Sequence, residues 1–235
     1  MIRLFGQFIG CLALSGLLWL PAQAASNVRQ AASPLFNELS RAAPGLDREV
    51  LRHALAAMQC AVNNGQPAAQ RLAVIDYSRP STERRLWLFD LQRKRVLLRD
   101  YVAHGRRSGE NYATQFSNSL GSYQTSLGLF RTAESYHGKH GYSLRMDGLQ
   151  PGVNDRARER AIVIHGAPYV DPRLAQSQGR IGRSLGCPAV RPEVARMVVD
   201  KLKGGQFLFA WHPRQAWARN AAYFNCKPQQ LAGLR

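Results

Sequence analysis

The sequence predicts a mainly β domain of enzyme size, preceded by a short helical segment and carrying one helix late in the chain. Residues 34–63 place apolar side chains at helical spacing. From residue 69 onward the apolar runs are short, β-branched or aromatic, and separated by polar or Gly/Pro punctuation. Size agrees: 235 residues, 45% hydrophobic and 20% charged, supply one substantial core and exclude a disordered tail, a coiled coil or a collagen-like fibre.

At the amino end, Arg3, the uncharged apolar run over 8–20 and the A-x-A pattern closing Pro21-Ala22-Gln23-Ala24 read as a signal peptide over residues 1–24. The run is shorter than the about 20 residues a membrane span needs. The expected location is therefore periplasmic or secreted, in the cell envelope, with no membrane attachment after cleavage. Residues 25–68 form the helical segment, with Leu35, Phe36 and Leu39, then Val50, Leu51, Ala54, Leu55, Met58 and Val62 at helical spacing, and Asp47 as N-cap of the second helix. Asn63-Asn64-Gly65-Gln66-Pro67 breaks it. Residues 69–213 hold strands at 72–77, 85–91, 95–103, 126–132, 143–146, 161–165 and 206–212. A helix spans 192–203, with Pro192 in its first turn and Gly204-Gly205 ending it. Residues 214–235 are a tail.

Charge is one-sided: 32 Lys plus Arg against 15 Asp plus Glu, a net +17. Nucleic acid is one class of partner for such a chain. The arginines are scattered, no nucleic-acid motif occurs and the chain carries an export signal, so an anionic envelope polymer fits better.

Removal of the leader takes Cys11 with it and leaves Cys60, Cys187 and Cys226, an odd number in an oxidising compartment. Cys60 lies on the apolar helical face and Cys226 in the tail. Either they pair or both stay reduced, and pairing is the favoured expectation. Cys187 is the one with chemical surroundings. The strand Ala161-Ile162-Val163-Ile164 ends in His165-Gly166, and Ser184-Leu185-Gly186-Cys187-Pro188 lies further on. A thiol needs a base to become a thiolate at neutral pH, and a strand-end imidazole facing a loop cysteine supplies one. Glycine at 186 lets backbone approach the reacting carbonyl, and the amides of Leu185, Gly186 and Cys187 can form an oxyanion hole. Arg183 and Arg191 add positive potential.

These residues resemble the L,D-transpeptidase (YkuD-like) catalytic domain, whose signature is a strand-end His-Gly, a spacer and Ser-x-Gly-Cys. Thr125-Ser126-Leu127-Gly128-Leu129-Phe130 approximates the family's Thr-Pro-x-Gly-x-Phe, and the likeness covers roughly residues 85–212. Leu185 replaces the usual histidine before Gly-Cys. The stretches 182–189 and 140–145 match a divergent branch with Gly-Arg-Ser-x-Gly-Cys-Pro-Ala and His-Gly-Tyr-Ser-Leu-Arg. The resemblance implies a compact β-sandwich-like fold and action on peptidoglycan stem peptides as transpeptidase or carboxypeptidase, without cofactor or metal. It makes Cys187 the nucleophile, His165 the general base, Gly186 a shaper of the oxyanion hole and Ser184 a support for the loop. It offers Arg183 as a substrate-carboxylate ligand, and His140, Tyr142 and Arg145 for the acyl-donor pocket or for loop packing.

Three alternatives compete. Gly182-Arg183-Ser184-Leu185-Gly186 fits the G-x-S-x-G of serine esterases, with Asp200 and His212 later in the chain, but no buried strand precedes the motif and Pro188 interrupts the place where its helix should start. A zinc peptidase would use His165 with Asp171, or His137 with His140, yet neither H-x-H nor H-E-x-x-H occurs. A non-catalytic envelope-binding module of the same fold explains the charge but not the pairing of His165 with Cys187. His104, near Gly105 and Gly109, reads as a strand connection without chemistry.

Overall fold

The structure, a computed structural model, describes residues 33–213. The expected signal peptide, the tail from 214 and Cys226 lie outside the described residues. Within them the order is α1 (Pro34–Ala42), α2 (Arg48–Asn63), β1 (Arg71–Asp76), β2 (Leu86–Asp90), β3 (Arg95–Asp100), β4 (Val102–Ala103), β5 (Gly128–Gly138), β6 (Gly141–Gly148), β7 (Val163–Gly166), α3 (Pro172–Gln178), β8 (Ala189–Val190), α4 (Pro192–Leu202) and β9 (Phe207–Trp211).

Both early helices start on side-chain caps: Ser33 Oγ accepts from the Phe36 amide at 3.2 Å and Asp47 Oδ1 from that of Glu49 at 2.7 Å. Their apolar stripes bury Leu39, Val50, Leu51 and Ala54 against Leu72, Val74, Trp87, Phe89 and Phe209 of the sheet. Truncating a core leucine such as Leu39 to alanine costs about 2–5 kcal/mol, so this packing is a large part of the stability. Cys60, buried on α2, is disulfide-bonded rather than free.

The strands join one continuous sheet in the order β3-β2-β1-β9-β5-β6-β7-β8-β4. The mainly β expectation holds. Strand alternation sends Leu72 and Val74 to the helical face, while Ala73 and Ile75 face a second core with Leu88, Phe130, Leu144 and Ile164, closed by Val198, Val199 and Leu202 of α4. Both faces are covered, which is why β1 and β2 read as nearly continuous apolar runs. β9 enters between β1, which it meets parallel, and β5, antiparallel. α4 starts on Pro192, and left-handed Gly204 and Gly205 come after its end.

Three departures from the sequence expectations bear on the site. The run 95–103 is split at Tyr101, so that β3 pairs with β2 while β4 pairs with β8 at the far edge of the sheet. β5 and β6 extend into a long hairpin whose turn carries Lys139 and His140. The short α3 and β8, too brief to give a periodic signal, flank the segment that leads to Cys187. No described helix is long and apolar enough to cross a membrane.

Candidate active site

β7 and β8 run parallel, with His165 paired to Ala189 and Gly166 to Val190. Cys187 lies two residues before Ala189, beside the start of β7. Its sulfur is held by the Val163 amide and its thiol donates to Ala161 O at 3.7 Å. Ala161 adopts φ 51°, a left-handed conformation uncommon for a residue with a Cβ.

The loop before β8 is tied internally. Ser184 Oγ donates to Cys187 O at 2.6 Å and accepts from the Gly186 amide at 3.1 Å. The Ser184 amide donates to His104 O at 2.9 Å, and Ser184 O accepts from the Arg106 amide at 2.7 Å. Glycine is required at 186: φ is +121°, and a Cβ would stand 2.9 Å from Gln124 O. The expected oxyanion hole changes accordingly. The Gly186 amide is spent on Ser184, whereas those of Leu185 and Cys187 have no protein acceptor among the described residues.

His165 is buried, and its Nδ1 lies 2.9 Å from Gly166 O. A carbonyl can only accept, so Nδ1 carries the proton and Nε2 presents a lone pair. This backbone carbonyl orients the imidazole. Burial lowers the His165 pKa, the Gly166 carbonyl partly opposes that, and His140 lowers it further. The His140 ring stacks on that of His165, centroids 4.4 Å apart and planes at 26°. Burial pushes the Cys187 thiol up, while the Val163 amide, Arg160 and Lys139 pull it back.

Arg183 and Arg191 do not supply the positive field expected of them. Arg183 Nη1 is engaged by Glu110 Oε1 at 2.5 Å, Gly109 O at 2.8 Å and Arg106 O at 3.1 Å, so this guanidinium braces the 106–110 loop. Arg191 makes a bidentate pair with buried Asp100, at 2.9 and 2.8 Å. Of the donor-pocket candidates, His140 reaches His165. Tyr142 points its hydroxyl to Asp200 Oδ1 at 2.9 Å on α4, and Arg145 lies over the Tyr136 ring and 3.1 Å from Glu134. Both side chains are engaged by neighbours, Tyr142 on α4 and Arg145 within the hairpin.

The serine constellation does not assemble: the Ser184 hydroxyl is used within its own turn, Asp200 bonds Tyr142 and Lys203, and His212 packs on Phe116. Asp171 caps α3 and pairs with Arg173, and His137 stacks on Tyr142. Among the described residues no three His, Cys, Asp or Glu side chains gather as a metal site.

Sequence reasoning missed Arg160, Lys139, Tyr77 and Tyr169, which all interact electrostatically with Cys187. Burial and the neighbouring sulfur push the Tyr169 hydroxyl up to about 12. No spacing rule links these residues, because each arrives from a different loop or strand end.

A family model described as L,D-transpeptidase catalytic domain matches residues 42–211. No curated protein matches significantly. Among solved structures, the chain is similar to an L,D-transpeptidase from Mycobacterium smegmatis, at 16% identity over 62% of this chain and 60% of that one, TM-score 0.38. It is also similar to an L,D-transpeptidase from Stackebrandtia nassauensis, at 11% identity over 76% and 77%, TM-score 0.37. A third, from Mycobacterium tuberculosis H37Rv, has 13% identity over 61% and 58%, TM-score 0.36. The chain spans about 60% of the length of the first structures it matches.

Proposed function

Since the chain belongs to the L,D-transpeptidase catalytic domain family, we propose that it is an exported cysteine acyltransferase acting on peptidoglycan stem peptides, with Cys187 as nucleophile and His165 as general base. The observation that carries this reading is the His165 tautomer. The Gly166 carbonyl holds the proton on Nδ1 and leaves Nε2 as acceptor, on the strand that adjoins Cys187.

In the first half-reaction the thiol loses its proton to His165 Nε2 as sulfur attacks the carbonyl of the third stem residue. The negative oxygen that develops is met by the free amides of Leu185 and Cys187. The C–N bond to the terminal D-Ala breaks, and the imidazolium returns its proton to the departing amine, leaving a thioester on Cys187. In the second half-reaction an amine or water, deprotonated by His165, attacks the thioester and regenerates the thiol. An amine acceptor makes the enzyme a transpeptidase, and water makes it a carboxypeptidase. The basic surface favours an anionic envelope polymer as its working environment.

Intact-mass spectrometry of the mature protein with disaccharide tetrapeptide tests this reading. The expected result is a covalent acyl adduct with release of D-Ala, absent in Cys187→Ala and retained in Ser184→Ala. An adduct that survives in Cys187→Ala refutes the thiol mechanism.

A further inference from the structure

Arg160 is a cation brought against the nucleophile loop with no carboxylate partner among the described residues. It sits in the turn between β6 and β7. Its neighbour Glu159 is taken by Arg156 at 2.9 and 3.1 Å, and Glu134 and Asp147 by Arg158. The Arg160 guanidinium instead binds neutral acceptors. Nη1 donates to Ser117 O at 2.5 Å and to Ser126 Oγ, and Nη2 donates to Gln124 O at 2.7 Å and Ser122 Oγ at 3.1 Å.

Those acceptors all lie in the 117–126 segment, which is pressed on the nucleophile loop. Gln124 O and Arg160 Nη2 would stand 2.9 and 3.5 Å from a Cβ on Gly186. The residue after Arg160 is strained Ala161, whose carbonyl receives the Cys187 thiol proton. One half-buried guanidinium therefore ties three pieces of chain together around the sulfur and keeps its full charge while doing so.

Resting on the reading of Cys187 as the nucleophile, we propose that Arg160 is a positioning residue that clamps the 117–126 segment over the loop and provides the fixed positive charge that faces the sulfur once its proton leaves. Hydrogen bonds to neutral acceptors orient a guanidinium without cancelling its field, and the half-buried setting lowers the screening of that field by water. Of the other groups facing the sulfur, Lys139 lies in the exposed hairpin turn, where solvent screens it. Tyr77 and Tyr169 are neutral at physiological pH, and His165 of β7 stacks on His140 of the hairpin turn. Arg160 is thus the cation whose position does not depend on an exposed surface side chain. Nothing in local sequence marks it, since it reads as one of several arginines in Arg156-Ala157-Arg158-Glu159-Arg160.

The test is the pH dependence of Cys187 alkylation by iodoacetamide, monitored by intact mass for the unaltered protein, Arg160→Gln, Arg160→Lys and Cys187→Ala. Circular dichroism establishes that each variant is folded, and D-Ala release from disaccharide tetrapeptide is measured in parallel. The expected result is alkylation about tenfold slower at pH 7 in Arg160→Gln, with the midpoint moved to higher pH. Arg160→Lys should recover most of the midpoint, although it lacks the four-way hydrogen bonding. Added salt should move the midpoint of the unaltered protein towards that of Arg160→Gln. An Arg160→Gln profile superimposed on that of the unaltered protein overturns the charge assignment while leaving Cys187 as nucleophile. Equal shifts in the Gln and Lys variants also overturn it, leaving only the clamp. D-Ala release that persists in Cys187→Ala overturns the reading on which the proposal rests.

Discussion

Acidification should destabilise the fold through one residue more than any other, His104. It is completely buried, and its Nδ1 receives a hydrogen bond from Arg85 Nη2 at 2.7 Å. A guanidinium can only donate, so Nδ1 must be the unprotonated nitrogen and Nε2–H donates to Gly109 O at 3.3 Å. Arg85 is itself completely buried and otherwise bonds only carbonyls, those of Val102 and Arg79. Protonating His104 would place two cations in contact in a dry site. Burial first, and Arg85 second, accordingly hold its pKa down to about 3.

The folded pKa lies below the unfolded value near 6.5, so below that value the unfolded chain binds the extra proton and stability falls with falling pH. The loss accumulates at about 1.4 kcal/mol per pH unit and reaches roughly 2.7 kcal/mol at pH 4.5 relative to pH 7.5. Urea unfolding at a series of pH values, compared with His104→Asn, isolates this contribution from that of the carboxylates. Asparagine keeps an acceptor for Arg85 but cannot be protonated. The difference in unfolding free energy between the two proteins should change by roughly 2.7 kcal/mol across the series. A difference that stays constant from pH 7.5 to pH 4.5 would refute the assignment of His104 as a neutral acceptor. The link reaches the site, since His104 O holds the Ser184 amide.

Contacts around the site set the remaining expectations. His140→Ala removes both shielding and a like charge from His165, so the base titrates higher and the acidic limb of the D-Ala release profile should move to higher pH. Gly186→Ala puts a Cβ into Gln124 O at an unfavourable φ and should lower both stability, by more than about 1 kcal/mol, and the rate of adduct formation in the mass assay. Arg191→Met leaves buried Asp100 unpaired and should cost about 3 kcal/mol in a urea melt, while leaving the Cys187 alkylation profile in place. Ser184→Ala should slow acylation about 10- to 100-fold without abolishing it, because the turn loses a donor and an acceptor but not the sulfur.

Cys187 and His165 could be singled out as candidates because their signal is local. A glycine before a cysteine and a histidine closing an apolar strand are short-range facts that hold however the rest of the chain is arranged. The same is true of Asp47 as a cap, of Pro192 opening α4 and of the change from helical to strand texture near residue 69. Charge partners were not legible. Arg183 and Arg191 flank Cys187 in sequence and looked like its cations, yet Glu110 and Asp100 claim them.

An arginine goes to whichever acceptor the fold brings within about 3 Å, and that depends on contacts such as the one that sends β4 to the far edge of the sheet. Arg160 and Tyr169 come to the sulfur by the same long-range route, from loops that carry no periodicity. Hydrophobic pattern, caps and motif spacing therefore sufficed for the longer elements and for singling out Cys187 and His165 as candidates, since each acts over a few residues. The electrostatics around the thiol belong to the tertiary structure, because Coulomb interactions depend on distance through space and burial, neither of which is written in the order of residues.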